Sequence, residues 1–419
     1  MENRKKILID VGSSTIKVYE YSNNKLKLLL QRSIHFKDGF DPEAGISPQA
    51  KKELFELLDA IKEQNKDAII KIYATGIFRK LKSETKIRFI DEVFLRTGLY
   101  FNIIDQDLEN FYLEKALVGK CNLNEPLLLI NIGGATTELV VMYGNEAIER
   151  KNLDIGVGII LSKFPQINED ISKISLEEIV DFVKNELPSL KNKPKIAFLT
   201  GGELTYMKLA KYPLKPNNLF DDEDHPFIIS IEDYKTKNKE IFEKITLKEL
   251  ENLMPENPKW MHGARAFSAI AQAICEKYGI EIIIPSDSNI INGVVRQEFR
   301  YVTISGNFRK YLDYILKVKK KLEEKGVKVL SPRFSEPKNP GEEFVIFKGE
   351  ENLSPLELER YHLNSIASSD ALIVCNPDGY VDAHSILEIG FALALGKRII
   401  FTEKPKEFIL NNIPAEIGL

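Results

Sequence analysis

Cysteine is scarce in this chain. Cys121, Cys275 and Cys375 are the only three in 419 residues, and no two form a CxxC pair. Neither a disulfide framework nor a cysteine-built zinc site is expected, and a reduced, cytoplasmic setting fits. Long apolar runs are lacking too, since no stretch approaches the ~18 residues of a membrane span. The opening MENRKKILIDVG has basic residues, but its apolar run is cut short by Asp10. Neither export nor a membrane partner is expected. Nor is there an excess of one charge. Lys and Arg number 58 against 62 Asp and Glu, a formal net charge of -4, which gives no global electrostatic case for a nucleic-acid partner. The densest basic run, Lys317, Lys319, Lys320 and Lys321, alternates with a helical apolar stripe and reads as a solvated helix face.

What the chain does have is a phrase said twice. Ile7 to Tyr19 read ILIDVGSSTIKVY, and Leu129 to Tyr143 read LINIGGATTELVVMY. Each apolar run ends in a small polar residue, passes through glycine and hydroxyl side chains, and resumes as a β-branched run. That is the pattern of a tight β-hairpin, and two copies imply a duplicated domain. Glycine lets a phosphate approach the backbone, while free N–H groups and the hydroxyls of Ser13, Ser14, Thr136 and Thr137 can donate to it. With 43% hydrophobic residues, the chain has enough apolar mass for two or three cores.

Strands at Lys71–Ala74, Leu127–Ile132 and Lys195–Leu199 alternate with helices at Glu53–Glu63, Leu176–Leu187 and Ala264–Lys277, which argues for α/β architecture. Near residue 300 the chain restarts. A strand at Tyr301–Ser305 is followed by a Ser-Gly-Asn loop and a helix over Phe308–Glu324, with Phe308, Tyr311, Leu312, Ile315 and Leu322 on one stripe. Val327–Leu330 is the next strand. Ser354, Pro355 and Glu357 make a capping-box start for a helix reaching about Ser368. A buried strand at Ala371–Cys375, a loop at Asn376–His384, a helix at Ser385–Leu395 and a strand at Arg398–Phe401 complete a unit of domain size. Ser331–Asn352, rich in Pro, Gly and Glu, reads as a mobile loop within it.

The first 300 residues resemble the exopolyphosphatase and guanosine pentaphosphate phosphatase family, within the actin and sugar-kinase superfamily. IDVGSSTIKV is similar to its first phosphate loop at Asp10, Gly12 and Ser13, and ATGIFRK matches its Thr and Arg positions at Thr75 and Arg79. IIDQDLENFYL falls where the family carries a catalytic glutamate, best matched by Glu109. INIGGATTEL resembles the second phosphate loop at Gly133, Gly134, Thr136 and Glu138, and LTGGELTYM the later glycine pair at Gly201 and Gly202. The resemblance implies phosphoanhydride hydrolysis, with Mg2+ neutralising phosphoryl oxygens near Asp10 and Asn131, Glu109 and Glu138 as the carboxylate pair, and Arg79 as a clamp. The family has Asp where this chain has Asn131, and Asn292 stands where a Glu is typical. An amide carries no charge to hold a cation or polarise water, which counts against hydrolysis here.

The last 120 residues resemble the nucleoside deoxyribosyltransferase superfamily, which includes deoxynucleoside monophosphate N-glycosidases. The resemblance rests on ISGNF at Ile304–Phe308, SSDALIVCNPDGY at Ser368–Tyr380 and LEIGFALALGKRIIF at Leu387–Phe401. It implies that Glu388 is the nucleophile, that Asp370 and Asp378 serve as acid, base or ribose-orienting groups, and that Ser305, Gly306 and Asn307 line the sugar or phosphate end beside the Gly379–Tyr380 loop. The residues themselves point the same way. Ligands of open α/β sheets bind beyond the carboxyl ends of the strands, and a carboxylate in the first turn of a helix stays ionised more easily because the dipole favours negative charge. Asp370 reads equally as a turn cap, and Tyr380 equally as a base-stacking or a loop-packing ring. His384, four residues before Glu388, reads first as a loop histidine without special duty, and His262 as structural.

The expected architecture is α/β, with a duplicated actin-like (ribonuclease H-like) phosphatase fold over residues 1–125 and 126–299, then a Rossmann-like or flavodoxin-like parallel-sheet domain over 300–419. The expected function is nucleotide handling: a nucleotide or polyphosphate bound by the first part, and a nucleoside or nucleotide N-glycosidase or deoxyribosyltransferase in the second. Two alternatives stand beside it. One is an exopolyphosphatase or guanosine pentaphosphate phosphohydrolase whose last domain only recognises a ligand, and the other a non-enzymatic nucleotide-sensing regulator. A homodimer is expected, since related folds often complete their pockets across a dimer.

Overall fold

The computed structural model describes residues 5–255, 257–342 and 344–419. They form three sheets. The first is built from β1 (Lys6–Val11), β2 (Thr15–Ser22), β3 (Lys25–Ser33), β4 (Ile69–Ala74) and β5 (Phe101–Ile103), in the order β3-β2-β1-β4-β5. The repeated phrase is a hairpin here, with β1 and β2 antiparallel and Asp10 opposite Lys17. β4 and β5 then add in parallel. Helices α1 (Pro48–Gln64) and α2 (Ser83–Thr97) cover one face. Leu54, Leu58, Ile61, Phe89 and Val93 from those helices pack with Ile7, Ile9 and Ile72 of the sheet in one core, as their helical and alternating spacings require.

The second sheet contains β6 (Pro126–Ile132), β7 (Thr137–Tyr143), β8 (Glu146–Leu153), β9 (Ile196–Leu199), β10 (Lys215–Pro216), β11 (Phe227–Ser230) and β12 (Ile282–Pro285), ordered β10-β11-β12-β9-β6-β7-β8. Its run β8-β7-β6-β9-β12 repeats the first sheet strand for strand, with the same antiparallel and parallel pairings. Asn131 pairs with Glu138 across the β6–β7 hairpin, where the first copy pairs Asp10 with Lys17. The duplication written in the sequence is therefore a duplication of topology. The helix Ala264–Tyr278 lies in the core of this sheet, its side chains from Ala264 to Cys275 all buried.

The third sheet is wholly parallel. β13 (Tyr301–Gly306), β14 (Lys328–Ser331), β15 (Ala371–Cys375), β16 (Arg398–Phe401) and β17 (Glu416–Ile417) run in the order β14-β13-β15-β16-β17. Separate apolar clusters cover its two faces, one around Ile304, Ile315 and Ile373, the other around Leu372, Val374 and Ile389. Burial on both sides is why these strands read as continuous apolar runs. Its main helices, numbered on from α1 and α2, are α3 (Phe308–Glu324), α4 (Pro355–Ser368) and α5 (Ala383–Ala394). The capping box at α4 is formed: the Ser354 hydroxyl accepts from the Glu357 N–H, and the Glu357 carboxylate accepts from the Ser354 N–H at 2.8 Å.

Two compact units result, 1–112 with 297–419, and 113–296. The first and third sheets share a unit. They are joined by a buried ionic cluster. Glu298 accepts from Lys71 of β4 at 2.5 Å and from Arg398 of β16 at 2.6 Å, and Arg398 also donates to Glu416 of β17 at 2.5 Å. Burial opposes ionisation of Glu298, but Lys71 and Arg398 outweigh it and hold its carboxyl far below the ordinary carboxylate range. No helix among the described residues is long and apolar enough to cross a membrane.

One sequence expectation is corrected. Lys319 does not belong to a solvated face: it is buried, donating to Glu323 at 2.7 Å and to Ser335 at 3.1 Å. In the segment read as a mobile loop, Pro337 is bridged to Phe347, and Phe347 is buried.

Candidate functional site

In the first unit, the turn after β1 is tight, with the Gly12 N–H donating to the Thr15 carbonyl at 2.9 Å. Ser13 is drawn onto the ATGIFRK segment, its hydroxyl accepting from the Ile77 N–H at 3.1 Å, while Thr75 N–H bonds the Val11 carbonyl at 3.0 Å. This closeness needs Gly76. Its φ is +64°, and a Cβ there would stand 2.0 Å from Ser13 Oγ, so a side chain would meet both backbone strain and collision. Ser14 lies exposed at the tip. Arg79 then pairs with Glu109 and donates to Gln106 at 2.7 Å. The first loop, Thr75, Arg79 and Glu109 are thus neighbours, although they span a hundred residues of chain.

Asp10 sits under this loop. Burial pushes its carboxyl up to about 7, with Lys17 opposing and Glu109 adding to the rise. A half-buried carboxylate beside this loop suits a divalent cation. Asn131, expected as the other ligand, is uncharged, and its Oδ1 accepts from the Thr200 hydroxyl at 3.0 Å.

In the second unit, Gly133 N–H donates to Thr136 O at 2.8 Å, the same closure as in the first loop. The loop is backed by a segment the sequence reading passed over, Asp154–Gly158. Val157 and Gly158 N–H groups donate to the carbonyls of Gly133 and Gly134 at 2.9 and 2.7 Å. A Cβ on Gly156 would lie 2.5 Å from Gly133 O, which is why the chain is bare there. Gly133, Gly134 and Gly201 line one cavity of 240 Å³ together with Glu203, Tyr206 and Trp260. Gly202 has a φ of +95° at the entry to the following helix. Glu138 lies 3.8 Å from Arg150, which also pairs with Glu114. Thr136 is exposed on the loop.

A Ser286–His225–Asp222 relay in this unit, with both links at 3.0 Å, resembles nucleophilic chemistry. All three side chains are buried, and Arg296 holds Asp222 at 2.9 Å, so the relay is structural.

The third sheet carries a cavity of 660 Å³ beyond the carboxyl ends of its strands. Gly306 and Asn307 follow β13, Ser331 and Pro332 follow β14, and Asp382 and Ala383 open α5. Phe344, Val345 and Phe347 close one side, and Glu359, His362, His384 and Glu388 another. Glu388 is 5% exposed. Burial alone would raise its pKa, but His362, the Ser305 hydroxyl and His384 together hold it below the ordinary carboxylate value. His362 Nε2 is 3.1 Å and His384 Nε2 3.6 Å from Glu388 Oε1. Ser305 Oγ is buried without a hydrogen bond of good geometry.

The cause of this ionisation differs from the expected one. Asp382 caps α5, accepting from the Ser385 N–H at 2.8 Å, so the helix begins at Ala383 and Glu388 lies in its second turn, beyond the strongest part of the dipole. His384 is a helix residue facing Glu388, not an idle loop histidine. Asp370 is not brought to the cavity. It precedes β15, at the amino edge of the sheet, where its carboxylate accepts from the N–H groups of Arg300 and Tyr301 at 2.7 and 2.8 Å. That is the turn-capping reading. Asp378, Gly379 and Tyr380 also lie outside the cavity lining. Asp378 is exposed, and Tyr380 groups with Tyr311 and with Lys310, whose Nζ is 4.5 Å from its ring centre.

Residues 18–301 match the model of the Ppx/GppA phosphatase family. Among solved structures, the chain is similar to the Aquifex aeolicus Ppx/GppA phosphatase in its type II variant, with 20% identity and a TM-score of 0.57 over 70% of this chain and 98% of that one. It is also similar to an exopolyphosphatase from Cytophaga hutchinsonii, with 14% identity and a TM-score of 0.51 over 70% and 96%. At these identities the likeness is one of fold. No curated protein matches. The match takes in the second glycine loop and, apart from β1 and the start of β2, the duplicated sheets, and by it the chain belongs to the Ppx/GppA phosphatase family.

Proposed function

We propose that the protein handles nucleotides with two chemistries: a family-typical module that binds a nucleotide or polyphosphate, and a Rossmann-like C-terminal domain that cleaves or transfers the base of a nucleoside or nucleotide through Glu388. The observation that carries the second part is a buried, ionised carboxylate facing a cavity of 660 Å³ beyond the carboxyl ends of a parallel sheet. Such a group can attack an anomeric carbon, and it stabilises the oxocarbenium-like charge that develops as the base departs. The new bond joins a Glu388 oxygen to the sugar. The bond that breaks is the one to the base, which leaves with its electron pair and takes up a proton. Water or a second base then releases the sugar. The test is chromatography for free base after incubation with nucleosides, nucleotides and their deoxy forms.

In the N-terminal module, Asp10 is the side chain suited to hold Mg2+, whose chemistry when bound is to neutralise phosphoryl oxygens. Arg79 clamps negative charge beside the Ser13 loop, and Glu109 is the group to orient water. Their pairing favours a second reading, in which phosphoanhydride hydrolysis is the working activity and the C-terminal domain only recognises a ligand. Under that reading, Glu109→Gln is expected to lower phosphate release from polyphosphate or guanosine pentaphosphate by about 10²-fold or more. Equal release by the variant would remove it. Saturable nucleotide binding with neither product would identify a regulator.

A further inference from the structure

The cavity beside Glu388 contains more ligating chemistry than attack on a sugar requires. Two helices supply it, with Glu359 and His362 spaced i,i+3 on α4, and His384 and Glu388 spaced i,i+4 on α5, so each pair shares a helix face. One ligand atom from each of Glu359, His384 and Glu388 lies within 4.8 Å of the other two. His384 Nε2 is 2.6 Å from Glu359 Oε2 and 3.6 Å from Glu388 Oε1. All three residues line the cavity.

Other observations separate this cluster from ordinary ion pairing. Glu359 Oε1, on a residue that lines the cavity, is buried without a hydrogen-bond partner. A buried carboxylate oxygen left unsatisfied beside a cavity is costly unless a ligand compensates it. His362 is also locked from behind, its Nδ1 lying 2.7 Å from the Ser331 hydroxyl, which leaves Nε2 directed toward Glu388.

We propose that Glu359, His384 and Glu388 bind a divalent transition cation of the zinc class. One imidazole nitrogen and two carboxylate oxygens, with a coordination position left open toward the cavity, suit such an ion. The imidazole disfavours magnesium, which takes oxygen ligands. The cation occupies the lone pairs with which Glu388 would attack a sugar, so zinc suppresses base release. That consequence rests on the glycosidic reading above, whereas the binding does not.

The test uses the full chain, stripped with a chelator and titrated with zinc sulfate against a chromophoric zinc indicator, with magnesium chloride in parallel. One zinc per chain is expected, and none of the response with magnesium. Glu359→Gln and His384→Ala are each expected to weaken zinc binding at least about tenfold, with unchanged circular dichroism. His262→Ala, in the other compact unit, should leave it unaltered. Failure to take up stoichiometric zinc, or parental affinity in both ligand variants, overturns the proposal. If zinc binds as described and no base is ever released, the metal site stands and the glycosidic reading falls.

Discussion

Glu388→Gln is expected to lower base release by at least about 10³-fold while leaving the fold intact, because the amide keeps the shape of the side chain and removes the charge that forms the new bond. Three features make the effect large. The residue is nearly fully buried, so no water molecule readily takes its place. It is drawn toward ionisation by two histidines, His362 and His384, at 3.1 and 3.6 Å. The alternatives named from sequence cannot substitute, since Asp370 is spent on the backbone of Arg300 and Tyr301 and Asp378 is outside the cavity. Asp370→Asn should accordingly act on stability more than on turnover. A Glu388→Gln enzyme with parental base release would remove the nucleophile from the account.

Arg398→Met is expected to destabilise the protein by about 3–5 kcal/mol, measured by urea unfolding followed by circular dichroism. The guanidinium is 3% exposed and serves two carboxylates at once, Glu298 and Glu416. Its loss leaves buried negative charge for Lys71, aided by Lys6, to balance. Arg398→Lys should recover little, because one ammonium cannot reproduce the forked contact to both acids. The same cluster sets an acid limit. Folding lowers the Glu298 pKa below its ordinary 4.5, so the stability it contributes is complete above that pH and is lost as the pH falls toward the folded-state value. In Arg398→Met this acid-sensitive part should shrink. An unchanged urea midpoint would mean that the first and third sheets are held together by other contacts.

Much of the C-terminal domain was legible because its strands are short, apolar and bounded by polar turns. Ala371–Cys375 and Arg398–Phe401 were read to the residue, and the helix Phe308–Glu324 as well. The hairpins of the repeated phrase were legible for a similar reason, since glycine and hydroxyl residues interrupt β-branched runs at the same place in each copy. What escaped the reading depends on contacts distant in sequence. His362 comes 26 positions before Glu388, and only the packing of α4 against α5 makes them neighbours. The Glu359-x-x-His362 and His384-x-x-x-Glu388 spacings were the available signal, but helical spacing does not say which two helices meet. Gly156 was missed because its bareness answers to the carbonyl of Gly133, 23 residues earlier. The shared unit of the first and third sheets follows from Lys71, Glu298, Arg398 and Glu416, charged residues that a sequence reading assigns to the surface.

The most direct test is to incubate the wild-type chain with a panel of ribo- and deoxynucleosides, their monophosphates, polyphosphate and guanosine pentaphosphate, and to quantify free base and inorganic phosphate in the same quenched samples. Free base accumulating from at least one nucleoside or nucleotide, and falling to background in Glu388→Gln, is the result expected. Phosphate released in every active sample, with no free base from any of them, would contradict it.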